Sequence, residues 1–258
     1  MAIITLTTDL GDKDIYQAAL KGSILKLLPT VTIIDITHNV PTFNVQQAAF
    51  ILKNSFYYFP ENTVHLIGID TVYSGDTKYL AIRYKNHYFV GSDNGIFSLM
   101  FTQEPDEIVE INIMQDLKFL HFPLADIFVK AACHLAKGGK LSEIGIPVDS
   151  VENKMNLQPV LDKNIIKGAV IYIDSFQNVI TNVTKDLFNK VQQGRNFTLL
   201  FKRNETIKNL SWHYNEVPEG EKLCLFGISD HLEIAINKGN ASGLLGLNLG
   251  DSVIIEFA

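Results

Sequence analysis

Apolar runs of strand length alternate with stretches of helical period through the first half of this 258-residue chain. That alternation constrains the fold more than any other feature. Ile3–Thr7 is a near-continuous apolar strand, and a helical pattern from Ile15 to Leu28 is stopped by Pro29. Val31–Ile36 predicts a second strand. Asn44 predicts the N-cap of a helix over Val45–Tyr58, closed by Pro60. Val64–Ile69 predicts a third strand, and Tyr79–Tyr84 with Tyr88–Val90 a hairpin around Lys85-Asn86-His87. Asp93-Asn94-Gly95 turns into a short helix, Glu107–Ile111 adds a strand, and Asp126 caps a strongly apolar helix ending at Gly138-Gly139. Strands alternating with helices imply an α/β fold, a mostly parallel sheet with helices on both faces.

The pattern then changes. From Pro147 to Lys163 the sequence dissolves into Pro, Asn, Asp and Lys, and beyond it short strands are separated by turns: Ala169–Ile173, Phe197–Lys202, Thr206–Ser211, Lys222–Gly227, Leu232–Ile236 and Ser252–Phe257. Only Thr184–Val191 has helical period. The expected organisation is an α/β domain over residues 1–150, a linker over 151–165, and an all-β, barrel-like domain over 166–258.

A net charge of −6 with no basic stripe argues against nucleic acid as a partner. Cys133 and Cys224 sit among apolar neighbours and read as buried reduced thiols. The chain enters a strand at once, without a basic flank, cleavage site or long apolar segment, so a cytoplasmic protein with no membrane partner is expected.

In a parallel sheet the carboxyl ends of the strands share one edge, where open α/β sheets hold ligands. Three apolar strands end at or near an acid: Asp9, Asp35 and Asp70. The plain alternative is that each aspartate turns the chain or caps the next helix. Asp35 fits that alternative, because two strand residues follow it. Asp9 and Asp70 each open a loop. A carboxylate cannot cradle a phosphate, but it accepts two hydrogen bonds from a vicinal diol such as a ribose. The second half has its own dense segment, Asp174-Ser175-Phe176-Gln177-Asn178, where Asn178 suits a purine edge and Phe176 could stack on it. An Asx-rich turn packed by one Phe is the bland equivalent.

No His-x-x-x-His, His-Glu-x-x-His or Cys-x-x-Cys occurs, and no metal site is expected. Cys133 and His134 are neighbours on a helix and point about 100° apart, the wrong geometry for one metal. Neither a Walker loop nor Gly-x-Gly-x-x-Gly is present.

In this setting the chain resembles the S-adenosylmethionine hydroxide adenosyltransferases, a family that includes the fluorinase and chlorinase. The matching residues are Thr7-Thr8-Asp9-Leu10-Gly11 with Asp14, Asp35-Ile36-Thr37-His38 with Pro41, Asp93-Asn94-Gly95, and Asp126-Ile127-Phe128 before Ala131-Ala132. Asp174, Phe176, Asn178, Thr181-Asn182, Leu232-Glu233-Ile234-Ala235 and Gly239-Asn240-Ala241 continue the match. The resemblance implies hydrolysis of S-adenosylmethionine to adenosine and methionine, with S-adenosylmethionine as substrate and no cofactor. It also implies a homotrimer whose ligand lies between the N-domain of one subunit and the C-domain of its neighbour. Asp9 would hold the ribose hydroxyls and Phe43 would wall the sugar, with Tyr16 in the same binding set. Asn178 would read the adenine edge and Phe176 would stack nearby. Asp174 and Ser229 would face the amino-acid end, with Glu233 close by.

Hydrolases of the family orient water with an Asp, an Arg and a His. Asp70 matches the first. Where the family continues Pro-Gly-Val-Gly and an arginine, this chain has Thr71-Val72-Tyr73-Ser74-Gly75-Asp76-Thr77-Lys78, and Lys78 lacks the planar fork of an arginine. Pro123 stands at the histidine position, so His121 substitutes only if its loop is rebuilt. Asp70, Lys78 and His121 are therefore the catalytic expectation. A non-catalytic protein that binds S-adenosylmethionine or adenosine is the alternative. A 5′-halogenase and a Mg²⁺-dependent phosphohydrolase on Asp9 and Asp70 are the remaining ones.

Overall fold

A computed structural model describes residues 2–71, 77–202 and 205–258. The chain divides into two compact units, Met1–Asn156 and Leu157–Ala258.

In the first unit the order is β1 (Ile3–Thr8), α1 (Tyr16–Leu27), β2 (Thr32–Thr37), α2 (Val45–Lys53), β3 (Val64–Gly68), β4 (Tyr79–Tyr84), β5 (His87–Ser92), α3 (Ile96–Met100), β6 (Glu107–Ile111), α4 (Ile127–Ala136) and β7 (Gly145–Pro147). The strands form one sheet in the order β2-β1-β3-β5-β4-β6-β7. Strands β2, β1, β3 and β5 pair in parallel, and the β4, β6 and β7 pairings are antiparallel. Period-two alternation sends Ile4, Leu6, Leu66 and Val90 toward α1 and α4, and Ile67, Ile69 and Phe89 toward α2 and α3. Both faces are thus covered, as the alternation of elements requires. Full burial of one such side chain contributes about 1.5–3 kcal/mol, so the apolar faces, more than helix propensity, hold the unit together.

Local signals explain the helix ends unevenly. Asn44 caps α2 as its position predicts, its Oδ1 accepting the Gln47 N–H at 3.0 Å. Asp126 does not cap α4 with its side chain. Its carboxylate instead accepts the Asp116 N–H at 2.9 Å and pairs with Lys130 at 2.7 Å.

A polar chain crosses the apolar face beneath α2. Thr5 Oγ1 lies 2.8 Å from His65 Nδ1, and His65 Nε2 lies 3.1 Å from His87 Nδ1, with Phe56 edge-on to both rings and Phe89 stacked on His65. Burial, helped by the neighbouring His87 charge, lowers the His65 pKa to about 3, and burial also lowers that of His87. Below about pH 6.5 the unfolded chain binds more protons at these rings than the folded state does, so this stability is present above that pH and is lost on acidification. His65 alone should remove about 2 kcal/mol between pH 7 and pH 5. Denaturant titrations of wild type and His65→Phe at the two pH values measure it as the difference between the proteins. Parallel pH profiles for the two would contradict it.

The second unit contains β8 (Val160–Asp162), β9 (Ile165–Ile173), β10 (Val179–Thr184), α5 (Lys185–Gln192), β11 (Phe197–Phe201), β12 (Glu205–Ile207), β13 (Lys222–Phe226), β14 (His231–Ile236), α6 (Ala241–Leu245) and β15 (Ser252–Phe257). Its described strands pair antiparallel, in the order β12-β11-β15-β9-β10-β14-β13, with β8 beside β9. The Leu210–Cys224 bridge and the Ser211 N–H on Cys224 O join the two ends of that path, so the sheet nearly closes as a barrel. Its interior holds Phe188, Leu199, Ile234, Val253 and Ile255. Residues 160–162, which composition places in a linker, form a sheet strand, and the expected strand over Thr206–Ser211 shortens to β12. Cys133 and Cys224 are buried and unpaired, and burial raises their thiols to about 11 and about 12, so neither is a reactive thiolate near neutral pH.

Candidate functional site

The carboxyl ends of β1, β2, β3 and β5 form one edge of the first sheet. Asp9 follows β1 directly, and its N–H donates to Gly68 O at the end of β3 (3.3 Å). Its Oδ2 accepts the Phe43 N–H at 2.9 Å, a bond between positions 34 residues apart. Phe43 and Asp70 both have left-handed backbones, φ 62 and φ 46. For non-glycine residues that costs about 1–3 kcal/mol each, and such positions cluster at ligand sites. The Phe43 ring is 61% exposed beside the half-buried Asp9. Tyr16, the first residue of α1, lies edge-on to Phe122 at 5.5 Å. Asp9 and Phe43 are therefore joined directly, and Asp70 lies on the same sheet edge.

The loop after β1 is stitched to the loop after β2. Gly11 N–H donates to His38 O (2.8 Å), Val40 N–H to Thr8 O (3.3 Å) and Asn39 Nδ2 to Asp12 Oδ2 (2.6 Å). Hydrogen bonds from Asn39 and Gln17 hold the Asp12 carboxyl below the usual carboxylate range. Asp35 is a structural acid, as its place inside a strand suggests, pairing with Lys21 at 2.6 Å and His38 at 3.1 Å. Burial raises its pKa, but the hydrogen bonds from Lys21 and His38 outweigh that and lower it overall.

The expected catalytic trio is less assembled. Asp70 is exposed after the buried Ile69, whose carbonyl accepts Asn94 Nδ2 at 2.9 Å. Lys78 lies on the same edge, next to the first residue of β4, and its ammonium is 3.7 Å from Glu110. His121 is exposed in the loop before α4. Among the described residues no hydrogen bond or ion pair joins Asp70, Lys78 and His121. The segment 72–76, where the sequence departs from the family pattern, lies outside the described residues. Pro123, Leu124 and Ala125 are buried, and a Cβ at Gly68 would come within 2.5 Å of Leu124 Cδ2. The position at which the family carries its histidine is thus part of the core.

In the second unit a cavity of about 670 Å³ is lined by Phe176, Asn178, Tyr214, Ile236, Gly239 and Asn240, with Lys238. Phe176 is 80% exposed and Asn178 is buried. Asp174 orients Asn178: Oδ1 accepts the Asn178 N–H at 2.8 Å and Oδ2 accepts Nδ2 at 3.1 Å. That leaves the Asn178 carbonyl and one amide hydrogen for a ligand edge. Asp174 therefore acts here through Asn178. Ser229 is half-buried, and its carbonyl accepts from His231 Nδ1 at 2.7 Å. Glu233 is buried and accepts the Tyr214 hydroxyl at 2.7 Å. Burial, with Asp174 nearby, raises the Glu233 pKa despite that bond, and burial with the Glu233 bond raises that of Tyr214. Tyr214, Lys238 and Asn240 are lining residues that pattern reading missed. The clustered aromatics of Trp212-His213-Tyr214 in a polar turn were the available signal. Among the described residues no group of three or more His, Cys, Asp or Glu side chains could hold a metal ion, and no helix is long and apolar enough to cross a membrane.

Residues 4–145 match the SAM hydroxide adenosyltransferase N-terminal domain, and residues 168–254 match the SAM hydroxide adenosyltransferase C-terminal domain. The chain is 29% identical to an (R)-S-adenosyl-L-methionine hydrolase of Methanocaldococcus jannaschii, over 99% of this chain and 96% of the relative. It is 27% identical to the (R)-S-adenosyl-L-methionine hydrolase of Thermus thermophilus, over 97% and 98%. A crystal structure of an uncharacterized conserved protein from Thermotoga maritima superposes with a TM-score of 0.88 at 32% identity, covering 98% of this chain and 99% of that one. With both matched domains in order along nearly its whole length, the chain belongs to the SAM hydroxide adenosyltransferase family.

Proposed function

We propose that this protein hydrolyses S-adenosylmethionine to adenosine and methionine. A water or hydroxide oxygen bonds to the ribose C5′ as the C5′–S bond breaks, the electron pair goes to sulfur, and the attacking water gives up a proton. The leaving group is a sulfonium, already a good one, so the protein's main tasks are positioning the nucleophile and stripping its solvation. The positive charge on sulfur vanishes in the transition state, so strong anionic contacts to it would slow the step.

The observation that carries this reading is Asp9. At the carboxyl end of β1, which lies between the parallel strands β2 and β3, one carboxylate oxygen holds Phe43 and the other is left for a diol. On this reading Asp9 takes the ribose hydroxyls, Phe43 and Tyr16 flank the sugar, and Asp70 orients the water. Phe176 and Asn178 take the adenine, Asp174 holds Asn178 in place, and Ser229 and Glu233 serve the amino-acid end. No cofactor, nucleic acid or membrane takes part. The protein works in the cytoplasm as a homotrimer, with each ligand between subunits.

A second reading, binding without turnover, is favoured by the pairing of Lys78 with Glu110 and the isolation of His121 from Asp70. Incubating purified protein with S-adenosylmethionine and separating the products by chromatography decides between them. Adenosine and methionine in equal amounts, unaffected by EDTA, are expected. Bound but unconverted S-adenosylmethionine would establish the binder. A 5′-halo product on adding chloride or fluoride would establish the halogenase, and activity lost to EDTA would favour metal-dependent chemistry.

A further inference from the structure

Thr8 Oγ1 lies 2.7 Å from His38 Nδ1, and His38 Nε2 lies 3.1 Å from Asp35 Oδ1. Lys21 holds the other Asp35 oxygen at 2.6 Å. The order hydroxyl, imidazole, carboxylate is that of a nucleophilic triad, but Thr8 is wholly buried and no substrate reaches it. The chain must therefore orient something else. Thr8 Oγ1 also accepts the Leu10 N–H at 3.3 Å, and its hydrogen and second lone pair both remain for His38 Nδ1, so either ring tautomer can make the bond. The His38 carbonyl meanwhile accepts the Gly11 N–H at 2.8 Å. His38 thus fixes the chain at Thr8 through its ring and at Gly11 through its backbone. Asp9 lies between those two points.

We propose that His38 is a positioning residue for the Asp9 carboxylate, acting through Thr8 and itself held by Asp35 and Lys21. This rests on the reading of Asp9 as the ribose-binding group. The relay limits the positions from which Asp9 can meet a diol, so its loss costs diol recognition before it costs anything else. Charged and titratable groups facing His38 are Asp35, Lys21 behind it, and Asp12 across the stitched loops.

The test is calorimetric binding of adenosine and of 2′,3′-dideoxyadenosine to wild type, Thr8→Val, His38→Phe and His38→Asn. Thr8→Val removes only the hydroxyl at nearly constant volume and guards against a His38 variant that fails to fold. Thr8→Val and His38→Phe should weaken adenosine by at least about tenfold, the equivalent of one good hydrogen bond, and leave dideoxyadenosine within about twofold. His38→Asn, whose amide offers Thr8 both an acceptor and a donor, should recover most of the loss. Equal weakening of both ligands, or wild-type preference in Thr8→Val, would overturn the inference and leave the ribose reading intact. A wild type indifferent to the diol would overturn the ribose reading and this inference with it.

Discussion

Asp9→Ala should abolish measurable adenosine binding, with a loss of roughly a hundred- to ten-thousandfold. Two charge-assisted hydrogen bonds to a diol are together worth about 3–6 kcal/mol, and alanine supplies neither. A loop position suggests that folding would hardly notice, but the structure differs. Asp9 Oδ2 also holds the N–H of Phe43, whose backbone sits at φ 62. Removing the carboxylate frees that strained turn, so a stability loss of about 1 kcal/mol is also expected. Asp9→Asn separates the two effects. Its amide oxygen still accepts the Phe43 N–H, so stability should stay near wild type while affinity falls with the lost charge. Calorimetry with adenosine reads the binding, and denaturant midpoints read the fold. Unchanged affinity in Asp9→Ala would remove the sugar-binding role.

Asp70→Asn should lower kcat by about 10²–10⁴ and leave adenosine affinity within about twofold, because orienting the attacking water matters only once chemistry begins. Asparagine tolerates the left-handed backbone that Asp70 adopts, so the substitution keeps the loop and removes the charge. Asp70→Gly sharpens the test. Glycine has no steric penalty at φ 46, so this variant should be as inactive and more stable, by up to about 1 kcal/mol. A variant that is both more stable and inactive marks a residue kept for function at the expense of folding. Retained kcat in both variants would move the water site elsewhere on the sheet edge.

What the sequence made legible follows from how local each cause is. The Asn44 cap, the Pro29 stop and the apolar strands act within a few residues, and the α/β sheet, α1 and the start of α2 came out as read, whereas α2 ends at Lys53, with a separate 3₁₀ turn over Phe56–Tyr58, instead of running on toward Pro60. Strand β8 escaped because its three residues are all exposed and composition there looks like a linker, yet backbone pairing to β9 suffices to order it. Asp126 shows the reverse case. Its place before an apolar helix reads as a cap, but its carboxylate is taken by Asp116 and Lys130. At the site, Asp9 was legible as an acid at a strand end, whereas its bond to Phe43 joins positions far apart in sequence. Tyr214 stayed hidden because nothing in a polar turn announces that its hydroxyl reaches Glu233. His38 was visible only as part of a motif, since its role depends on two neighbouring loops meeting.

The central claim is that water attacks the ribose C5′ of S-adenosylmethionine. The direct measurement is turnover in H₂¹⁸O followed by mass spectrometry of both products. One ¹⁸O atom in the 5′-hydroxyl of adenosine, with unlabelled methionine, is the predicted result. Label in an amino-acid fragment beside methylthioadenosine, or no product while ligand stays bound, would contradict it.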